Sequence, residues 1–138
     1  MRWIAAPIFI LALATTIHAD EIRGKVVSIA DGDTITVLDA AKVQHKIRFQ
    51  GIDAPEKKQA FGTKSKELMG EKVAGQEVVV TWMEKDRYGR VLGEVMIGNR
   101  HINLEMVQEG IAWHYKQYSK SRELAAAEDE ARKARKGL

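Results

Sequence analysis

The sequence predicts an α+β fold that is mainly β, a small closed antiparallel barrel of five strands with about three helices packed outside it. Five short segments rich in β-branched residues are separated by polar turns, a pattern typical of a barrel or a sandwich. A helical pattern of apolar residues follows the third segment, and two more close the chain. At 138 residues the chain has the length of one domain.

A tight turn joins the first two predicted strands. Residues Glu21 to Ile29 mix β-branched and polar side chains, and Thr34 to Leu38 is a second run of this kind. Between them stands Asp31-Gly32, a pair that favours the backbone conformation of a two-residue hairpin. A hairpin is therefore expected, with Asp33 at the start of its second strand.

The third strand is predicted from His45 to Gln50. Because side chains alternate along a strand, Ile47 and Phe49 share one face and Arg48 lies on the other. Arg48 is therefore not expected in the core. Pro55 ends this extended stretch.

A first helix is predicted from Gln59 to Ala74, with Gly75 as its C-terminal cap. Its apolar residues recur at helical spacing: Phe61, Leu68, Met69 and Val73. Two more strands follow, Val78 to Trp82 and Val91 to Ile97, joined by a charged segment. We expect Trp82, like Trp113, to pack in the core rather than bind a ligand.

Two helices are predicted at the end of the chain. Asn103 is a suitable N-cap for a short helix that stops at Gly110, and Ser121 suits a longer one from Arg122 to about Lys136. The longer helix has a thin apolar stripe: Leu124, Ala127, Ala131 and Ala134. Its charged face is interpreted as solvated surface rather than a nucleic-acid tail. A five-stranded barrel with external helices is the architecture of the oligonucleotide-binding (OB) fold.

The first 19 residues have the layout of a signal peptide. Arg2 supplies a positive charge, Ile4 to Ala14 is a short apolar run, and Ala19 is a small residue suited to cleavage. A membrane anchor is the less favoured alternative, because spanning a bilayer takes roughly 20 apolar residues. The prediction is an exported protein, periplasmic or secreted, in which residues 1–19 are removed and residues 20–138 form the domain.

The composition limits the kinds of metal site that the chain can form. There is no cysteine, which excludes disulfides and thiolate-bound zinc. His45, His101 and His114 lack the close spacing of zinc ligands, so structural or surface roles suit them better. Hard oxygen ligands such as Asp33 and Asp53 favour calcium or magnesium.

Five charged residues near strand ends or in loops are the candidates for chemistry. They are Asp33, Arg48, Asp53, Glu56 and Arg90. Each motif has a structural explanation when taken singly, since Asp and Gly, for example, are what a tight turn needs. Together they combine oxygen ligands for a hard cation with guanidinium groups that can grip two phosphate oxygens at once. The set therefore predicts phosphate chemistry.

Four motifs in order resemble those of the staphylococcal-nuclease-like thermonucleases, over the stretch from about Lys25 to the last helix. The motifs are Asp31-Gly32-Asp33-Thr34, then Ile47-Arg48-Phe49 with Ile52-Asp53-Ala54-Pro55-Glu56, then Asp86-Arg87-Tyr88-Gly89-Arg90, and finally Gly110-Ile111-Ala112-Trp113 with Tyr118. This resemblance implies the OB-fold barrel described above and a nuclease activity.

The resemblance also implies a metal-dependent reaction. Asp33 and Asp53 would bind Ca²⁺ directly, together with the backbone carbonyl of Ala54. A carbonyl ligand does not depend on its side chain, so Ala54 can serve where the family often has threonine. Glu56 would contact a metal-bound water and the attacking water.

Further residues would hold the substrate, according to the same resemblance. Arg48 and Arg90 would grip the phosphate during in-line attack of water, and cleavage would leave a 3′-phosphate end. Arg87, Tyr88 and Tyr118 would bind the rest of the nucleic acid. Arg87 stands where the best-known member of the family has lysine.

The expected activity is that of a calcium-dependent, sugar-nonspecific nuclease that acts on DNA and RNA. We expect a monomer, without a membrane partner in the mature form. The alternative is a non-catalytic OB-fold module that binds nucleic acid, because a fold does not determine a function. Metal-dependent cleavage distinguishes the two hypotheses.

Overall fold

The computed structural model describes residues 2–13 and 19–138. Residues 2–13 form neither helix nor strand, and their large apolar side chains are 85–92% exposed. The predicted signal peptide also includes Met1 and residues 14–18, which lie outside the described part of the chain. Within the described part, no helix is both long enough and apolar enough to cross a membrane.

Eight strands and three helices make up the described residues of the domain. In chain order they are β1 (Asp20–Asp31), β2 (Thr34–Asp39), β3 (Gln44–Phe49), β4 (Ile52–Asp53), α1 (Gly62–Val73), β5 (Glu77–Lys85), β6 (Val91–Ile97), β7 (Arg100–His101), α2 (Ile102–Gln108), β8 (Trp113–His114) and α3 (Arg122–Lys133).

Five of these strands close into a barrel. Neighbours are antiparallel in the order β3-β2-β1-β5-β6, and β6 returns to β3 in parallel by pairing Val91 with Ile47 and Gly93 with Phe49. A β-carbon on Gly93 would lie 2.4 Å from Cγ1 of Val80, so only glycine fits at this seam without a shift of β5. The predicted five-stranded barrel with three helices is confirmed.

The inward side chains of the strands fill the barrel. Ile35 and Val37 of β2 and Ile47 and Phe49 of β3 are at most 1% exposed. Burying a side chain of this size stabilises the fold by roughly 1.5–3 kcal/mol. Arg48 lies between two core residues of β3 and is not part of the hydrophobic core, as the alternation predicts. Its position on the outer face makes it available to a site.

Helix α1 begins later than predicted, at Gly62, because residues 56–61 form hydrogen-bonded turns. The prediction that Phe61 lies on its apolar face is therefore wrong. Phe61 is the N-cap, with left-handed backbone angles (φ 63°, ψ 0°), and is 51% exposed. Gly75 follows the helix with φ 72°, which is the conformation of the predicted C-terminal cap.

The prediction that Asn103 caps α2 is also wrong. His101 is the N-cap, while Asn103 lies inside the helix and is 1% exposed. Its side-chain amide donates to the carbonyls of Gln50 (2.9 Å) and Gly93 (3.1 Å), and its oxygen accepts from the Val95 N–H (2.9 Å). Asn103 thus ties α2 to β6 and to the end of β3.

Helix α3 begins where predicted. Ser121 is its N-cap, and the Ser121 hydroxyl accepts a hydrogen bond from the Leu124 N–H at 3.1 Å. The helix ends at Lys133, so Ala134 is its C-cap rather than a member of the apolar stripe. The rest of the predicted stripe is buried, and Glu128 is buried beside it.

Candidate active site

The two-residue turn of the β1–β2 hairpin is Gly32-Asp33, not the predicted Asp31-Gly32, because Asp31 still pairs with Thr34. Asp33 therefore lies in the turn rather than at the start of β2, and it is nearly buried. Oδ2 of Asp33 accepts from the Ala54 N–H (2.9 Å), and Oδ1 accepts from the Thr34 hydroxyl (2.9 Å). A β-carbon on Gly32 would lie 1.8 Å from Oγ of Ser65 in α1. The hairpin can therefore pack against α1 only with glycine at this turn, and this packing brings Asp33 against the segment that follows β3.

A two-stranded sheet positions Asp53. Ile52 pairs with His114 and Asp53 with Trp113, and the Tyr115 N–H donates to the Gly51 carbonyl at 2.8 Å. The side chain of Asp53 is 46% exposed. Partial burial raises the pKa of Asp53, and the neighbouring Asp33 raises it further. Two predicted oxygen ligands are thus close enough to repel each other.

Arg48 lies between these two carboxylates. Its Nη2 is 3.5 Å from Oδ2 of Asp33 and 3.3 Å from Oδ1 of Asp53, and only 12% of its side chain is exposed. Nη1 donates to the carbonyls of Phe49 (3.0 Å) and Ile52 (2.8 Å). The Arg48 charge opposes the rise in the Asp53 pKa. Because Nη1 donates to two carbonyls and Nη2 contacts two carboxylates, the orientation of the Arg48 guanidinium is fixed.

Two further acidic residues, Glu56 and Asp31, lie near the Asp33–Asp53 carboxylate pair. Glu56 is exposed, and its charge contributes to the raised pKa of Asp53 and of Asp31. Burial is the largest cause of the raised Asp31 pKa, followed by the charge of Asp33. Asp31 was predicted only as a turn residue. Its carboxylate belongs to the same cluster, and turn chemistry gave no signal of that.

Gln59 fixes the backbone of Glu56. The Glu56 N–H donates to Oε1 of Gln59 at 2.7 Å, and the Gln59 N–H donates back to the Glu56 carbonyl at 2.8 Å. Sequence reasoning did not single out Gln59, since these contacts require the turn that delays the start of α1. The exposed Glu56 carboxylate therefore projects from a locally rigid backbone.

A cleft of about 470 Å³ lies beside the carboxylates. It is lined by five of the predicted site residues: Arg48, Arg87, Tyr88, Arg90 and Tyr118. Basic and aromatic side chains therefore share one concave surface, as phosphate and base binding would require.

The cleft and the carboxylates are adjacent parts of one site. Asp33, Asp53 and Glu56 are not among the cleft-lining residues of the described chain, whereas Arg48 and Ile52 are. Arg48 therefore joins the two parts, because its guanidinium contacts both aspartates and the residue is also part of the cleft lining.

Asp86 orients Arg90 in this cleft. Nε of Arg90 donates to Oδ2 of Asp86 at 2.7 Å, and Oδ1 accepts from the backbone N–H groups of Tyr88 (2.9 Å) and Arg90 (3.0 Å). The guanidinium carbons of Arg87 and Arg90 lie 5.0 and 5.6 Å from the Tyr88 ring centroid. One carboxylate thus organises the β5–β6 turn and the predicted phosphate-binding arginine.

Tyr115, Gln50 and Glu84 also line the cleft, although the sequence did not indicate them. The rings of Tyr115 and Tyr118 meet edge to face, with centroids 4.8 Å apart and an interplanar angle of 69°. Tyr115 directly follows β8, which has only two residues. That strand was the only local feature from which the position of Tyr115 could have been predicted. Such a short strand leaves no alternation to detect.

The donor atoms at the carboxylate pair suit a hard cation. Within the described residues, no group of three or more Asp, Glu, His or Cys side chains is arranged to hold a metal ion. The predicted set of Asp33, Asp53 and the Ala54 carbonyl has two such side chains and one backbone oxygen. Its all-oxygen chemistry fits calcium or magnesium, and water commonly completes the coordination of both ions. Burial is the main cause of the raised Asp53 pKa and the charge of Asp33 adds to it; a bound cation would favour the ionised form of both carboxylates.

Sequence comparison relates this arrangement to known proteins. Residues 46–138 match the model of a family described as "Staphylococcal nuclease homologue". An "Uncharacterized endonuclease" of Escherichia coli is 41% identical over 133 residues, which are 96% of this chain and 86% of that protein. A "Micrococcal nuclease" of Shigella flexneri is 41% identical over 149 residues, across 100% of this chain and 84% of that protein. An "Uncharacterized endonuclease" of Haemophilus influenzae is 50% identical over 95 residues, 69% of this chain and 53% of that protein.

Proposed function

Because this chain belongs to the staphylococcal nuclease homologue family and is a nuclease, we propose that it depends on calcium, cleaves both DNA and RNA, and leaves 3′-phosphate ends. The observation that carries the proposal is the placement of Arg48, which contacts Asp33 and Asp53 and also lines the cleft. A phosphate held by Arg48 is therefore next to the carboxylate pair.

Arg48 and Arg90 grip the scissile phosphate. Both line the cleft, and a guanidinium can donate two parallel hydrogen bonds to phosphate oxygens. Negative charge grows on those oxygens as water attacks, so oriented donors stabilise the transition state more than the substrate. The Asp86 carboxylate holds Arg90 at 2.7 Å, which reduces the reorganisation needed during the reaction.

Asp33, Asp53 and the Ala54 carbonyl would hold the calcium ion. When bound, the ion supplies Lewis-acid polarisation of a phosphoryl oxygen. Asp33 is prepared for this role, because the Thr34 hydroxyl and the Ala54 N–H each occupy one of its oxygens and fix its orientation. The Asp33–Ala54 hydrogen bond also places the two segments of the proposed site in contact.

Glu56 orients the attacking water and accepts its proton. The Glu56 carboxylate is exposed, so water reaches it, and Gln59 holds its backbone through two hydrogen bonds. Its charge contributes to the raised pKa of Asp53, which supports a role for Glu56 beside the proposed calcium ligands. General-base assistance by a positioned carboxylate typically contributes about 10²–10⁴-fold to the rate.

The proposed lack of sugar and sequence preference follows from contacts to the phosphate. Arg87, Tyr88 and Tyr118 bind the remainder of the strand, with Tyr115 beside them in the cleft. Aromatic rings stack on any base, and phosphate contacts carry no direct sequence information. DNA and RNA are therefore both substrates, and unpaired strands reach the cleft more easily than a duplex.

Export and a monomeric mature form are part of the proposal. The apolar side chains of residues 2–13 stay exposed, and β1 begins at Asp20, directly after the predicted cleavage site. Removal of residues 1–19 would thus leave every strand intact. Sequencing the N-terminus of the protein recovered from the periplasm or medium tests this; an N-terminus at Met1 in that fraction would contradict it. Light scattering of the recovered protein tests the monomer.

End-group analysis tests the reaction. Single-stranded DNA and RNA are incubated with the protein in Ca²⁺ or in a calcium chelator. We expect cleavage only with Ca²⁺, giving 5′-hydroxyl ends that polynucleotide kinase labels directly and 3′ ends that release inorganic phosphate to a phosphatase. Cleavage in the chelator would contradict calcium dependence, and 5′-phosphate ends would contradict the proposed direction of attack.

Two matched pairs of variants test the roles of the residues. Arg90→Ala is compared with Arg100→Ala, because Arg100 is also paired with a carboxylate, Glu105, but lies outside the cleft. Glu56→Gln is compared with Glu71→Gln on the exposed face of α1. Arg90→Ala and Glu56→Gln should each lower kcat by about 10²–10³-fold, whereas the controls should keep normal turnover. Equal activity within each pair would overturn the assignment.

A further inference from the structure

Phe61 combines two properties that the fold alone does not require. Its backbone is left-handed, with φ 63° and ψ 0°, and it is 51% exposed. Bulky residues are disfavoured in this conformation, which glycine adopts without steric cost. Because the Phe61 ring is half-exposed, its burial offsets little of the free-energy cost of the left-handed backbone.

The surrounding loop holds Phe61 in this conformation. Gln59 and Glu56 exchange hydrogen bonds at 2.7 and 2.8 Å, the Gly62 N–H donates to the Gln59 carbonyl at 3.0 Å, and the Phe61 carbonyl accepts from Ser65. A β-carbon on Gly62 would lie 1.9 Å from the Glu56 carbonyl oxygen. The Phe61 backbone therefore cannot leave its left-handed conformation without breaking the hydrogen-bonded turn that also holds the Glu56 backbone.

Phe61 lies close to the carboxylate end of the site. The backbone of Gly62, its neighbour, packs directly against Glu56 and Lys57, and one residue of chain spans about 3.8 Å. Arg48 connects the cleft to Asp53, and the charge of Glu56 acts on Asp53. The backbone at Phe61 therefore adjoins the Glu56 segment, next to the carboxylates.

Exposed lysines flank Phe61 in sequence. Lys57, Lys58 and Lys64 are exposed, and the charge of Lys66 acts on Asp31 in the carboxylate cluster. An aromatic side chain among basic residues is the usual surface for single-stranded nucleic acid, in which lysines contact phosphates and the ring stacks on a base.

We propose that Phe61 is a base-stacking site for single-stranded DNA or RNA on the Glu56 side of the scissile phosphate, with Lys57, Lys58 and Lys64 contacting the adjoining phosphates. The strand then enters the site between two aromatic positions, the Tyr115–Tyr118 pair in the cleft and Phe61 beyond the carboxylates. The location of the scissile phosphate in this inference rests on the function proposed above.

Substrates of different length test this inference. We expect an oligothymidylate of three nucleotides to occupy the cleft alone and one of twelve nucleotides to extend past the carboxylates to Phe61. For Phe61→Ala we expect KM to rise about tenfold for the long substrate, with kcat/KM for the short substrate within about twofold of the original protein.

Three further variants separate stacking from other effects. Phe61→Leu keeps an apolar side chain without a ring and should resemble Phe61→Ala, while Phe61→Trp should retain the original KM. Phe61→Gly should weaken binding of the long substrate yet raise the Tm, because glycine relieves the left-handed strain. Val43→Ala is the control, since Val43 is 50% exposed and lies at the opposite end of the β2–β3 hairpin from Asp33.

Binding measured in a calcium chelator distinguishes failure of this inference from failure of the proposed chemistry. The Kd of a labelled twelve-nucleotide strand, obtained from fluorescence anisotropy, needs no turnover and should rise about tenfold in Phe61→Ala. An unchanged Kd and KM, or an equal loss on short and long substrates, would overturn the stacking site. Arg90→Ala, by contrast, should reduce turnover of both lengths.

Discussion

Asp86 and Arg90 form a 2.7 Å hydrogen-bonded ion pair across the β5–β6 turn. The same carboxylate also accepts the backbone N–H groups of Tyr88 and Arg90. Burial alone would raise the pKa of Asp86, but the hydrogen bonds from Arg90 and Tyr88 outweigh it and lower that pKa. Asp86 therefore stays ionised and keeps the Arg90 guanidinium directed into the cleft.

Asp86→Ala should lower kcat/KM about 10–100-fold, because Arg90 would lose its fixed orientation while keeping its charge. Steady-state kinetics on single-stranded DNA measure the effect. Glu21→Ala is the control, since Glu21 pairs with Arg23 at 3.0 Å on the exposed surface of β1. If Asp86→Ala and Glu21→Ala have the same activity, Arg90 does not depend on Asp86.

Arg48→Lys should lower kcat about 100-fold or more. Lysine keeps the positive charge but lacks the planar donors that reach the Phe49 and Ile52 carbonyls together with the carboxylate pair. Kinetics and urea unfolding are measured together, since the lost hydrogen bonds should also reduce the free energy of unfolding by about 1–3 kcal/mol. Arg100→Lys, on the exposed β7, should change neither quantity appreciably. Full activity in Arg48→Lys would show that a point charge suffices.

Gln59→Met should lower kcat about tenfold with little change in KM, because Met has a similar length but cannot accept the Glu56 N–H. A double-mutant cycle gives the decisive measurement. In a Glu56→Gln background the Gln59→Met change should have no further effect on kcat, since Gln59 acts through Glu56. Additive losses would mean that Gln59 acts elsewhere. Gln108→Met, at an exposed position of α2, is the matched control.

The stability of the domain should fall in acid partly through Glu128. Burial raises the pKa of this carboxyl, but the Lys116 hydrogen bond, the His114 N–H and the charge of Arg132 together lower it. A group whose pKa is lower in the folded state stabilises the fold above its unfolded pKa, and this contribution is lost as the pH falls through the folded pKa. The stabilising contribution of Glu128 is thus present at neutral pH and absent in strong acid.

Glu128→Gln should reduce the free energy of unfolding by about 2 kcal/mol at pH 7 and make it less dependent on pH. Urea unfolding at about pH 7, 5 and 3.5 gives both quantities. Glu130→Gln, exposed on the same helix, should follow the pH profile of the original protein. Parallel profiles for Glu128→Gln and the original protein would exclude Glu128 as a source of the acid sensitivity.

Local chemistry made the hairpin and the last helix predictable. Asp31-Gly32 indicated a tight turn, which the structure forms one residue later at Gly32-Asp33, and Ser121 caps α3 through a contact three residues away. The alternation of Ile47, Arg48 and Phe49 likewise placed Arg48 outside the core. The barrel and the set of charged residues followed from such short-range patterns and from the family motifs.

Long-range contacts account for what the sequence did not reveal. Asn103 has the chemistry of an N-cap, yet its partners are backbone groups of Gln50, Gly93 and Val95. Tyr115 enters the cleft because β8 pairs with β4. The residues next to Asn103 and Tyr115 in sequence do not indicate these long-range contacts. A capping role for Asn103 and the absence of a strand before Tyr115 are equally compatible with the local sequence.

The pairing of β4 with β8 joins Asp53 to Trp113, and the His114 N–H beside it donates to Glu128 of α3 at 2.7 Å. A growing chain on the ribosome thus produces Asp33 and Asp53 before β8, the strand that pairs with Asp53. The candidate site therefore stays incomplete until β8 and the segment that supports it have been made. Order of synthesis alone separates the appearance of the two carboxylates from the appearance of a competent site.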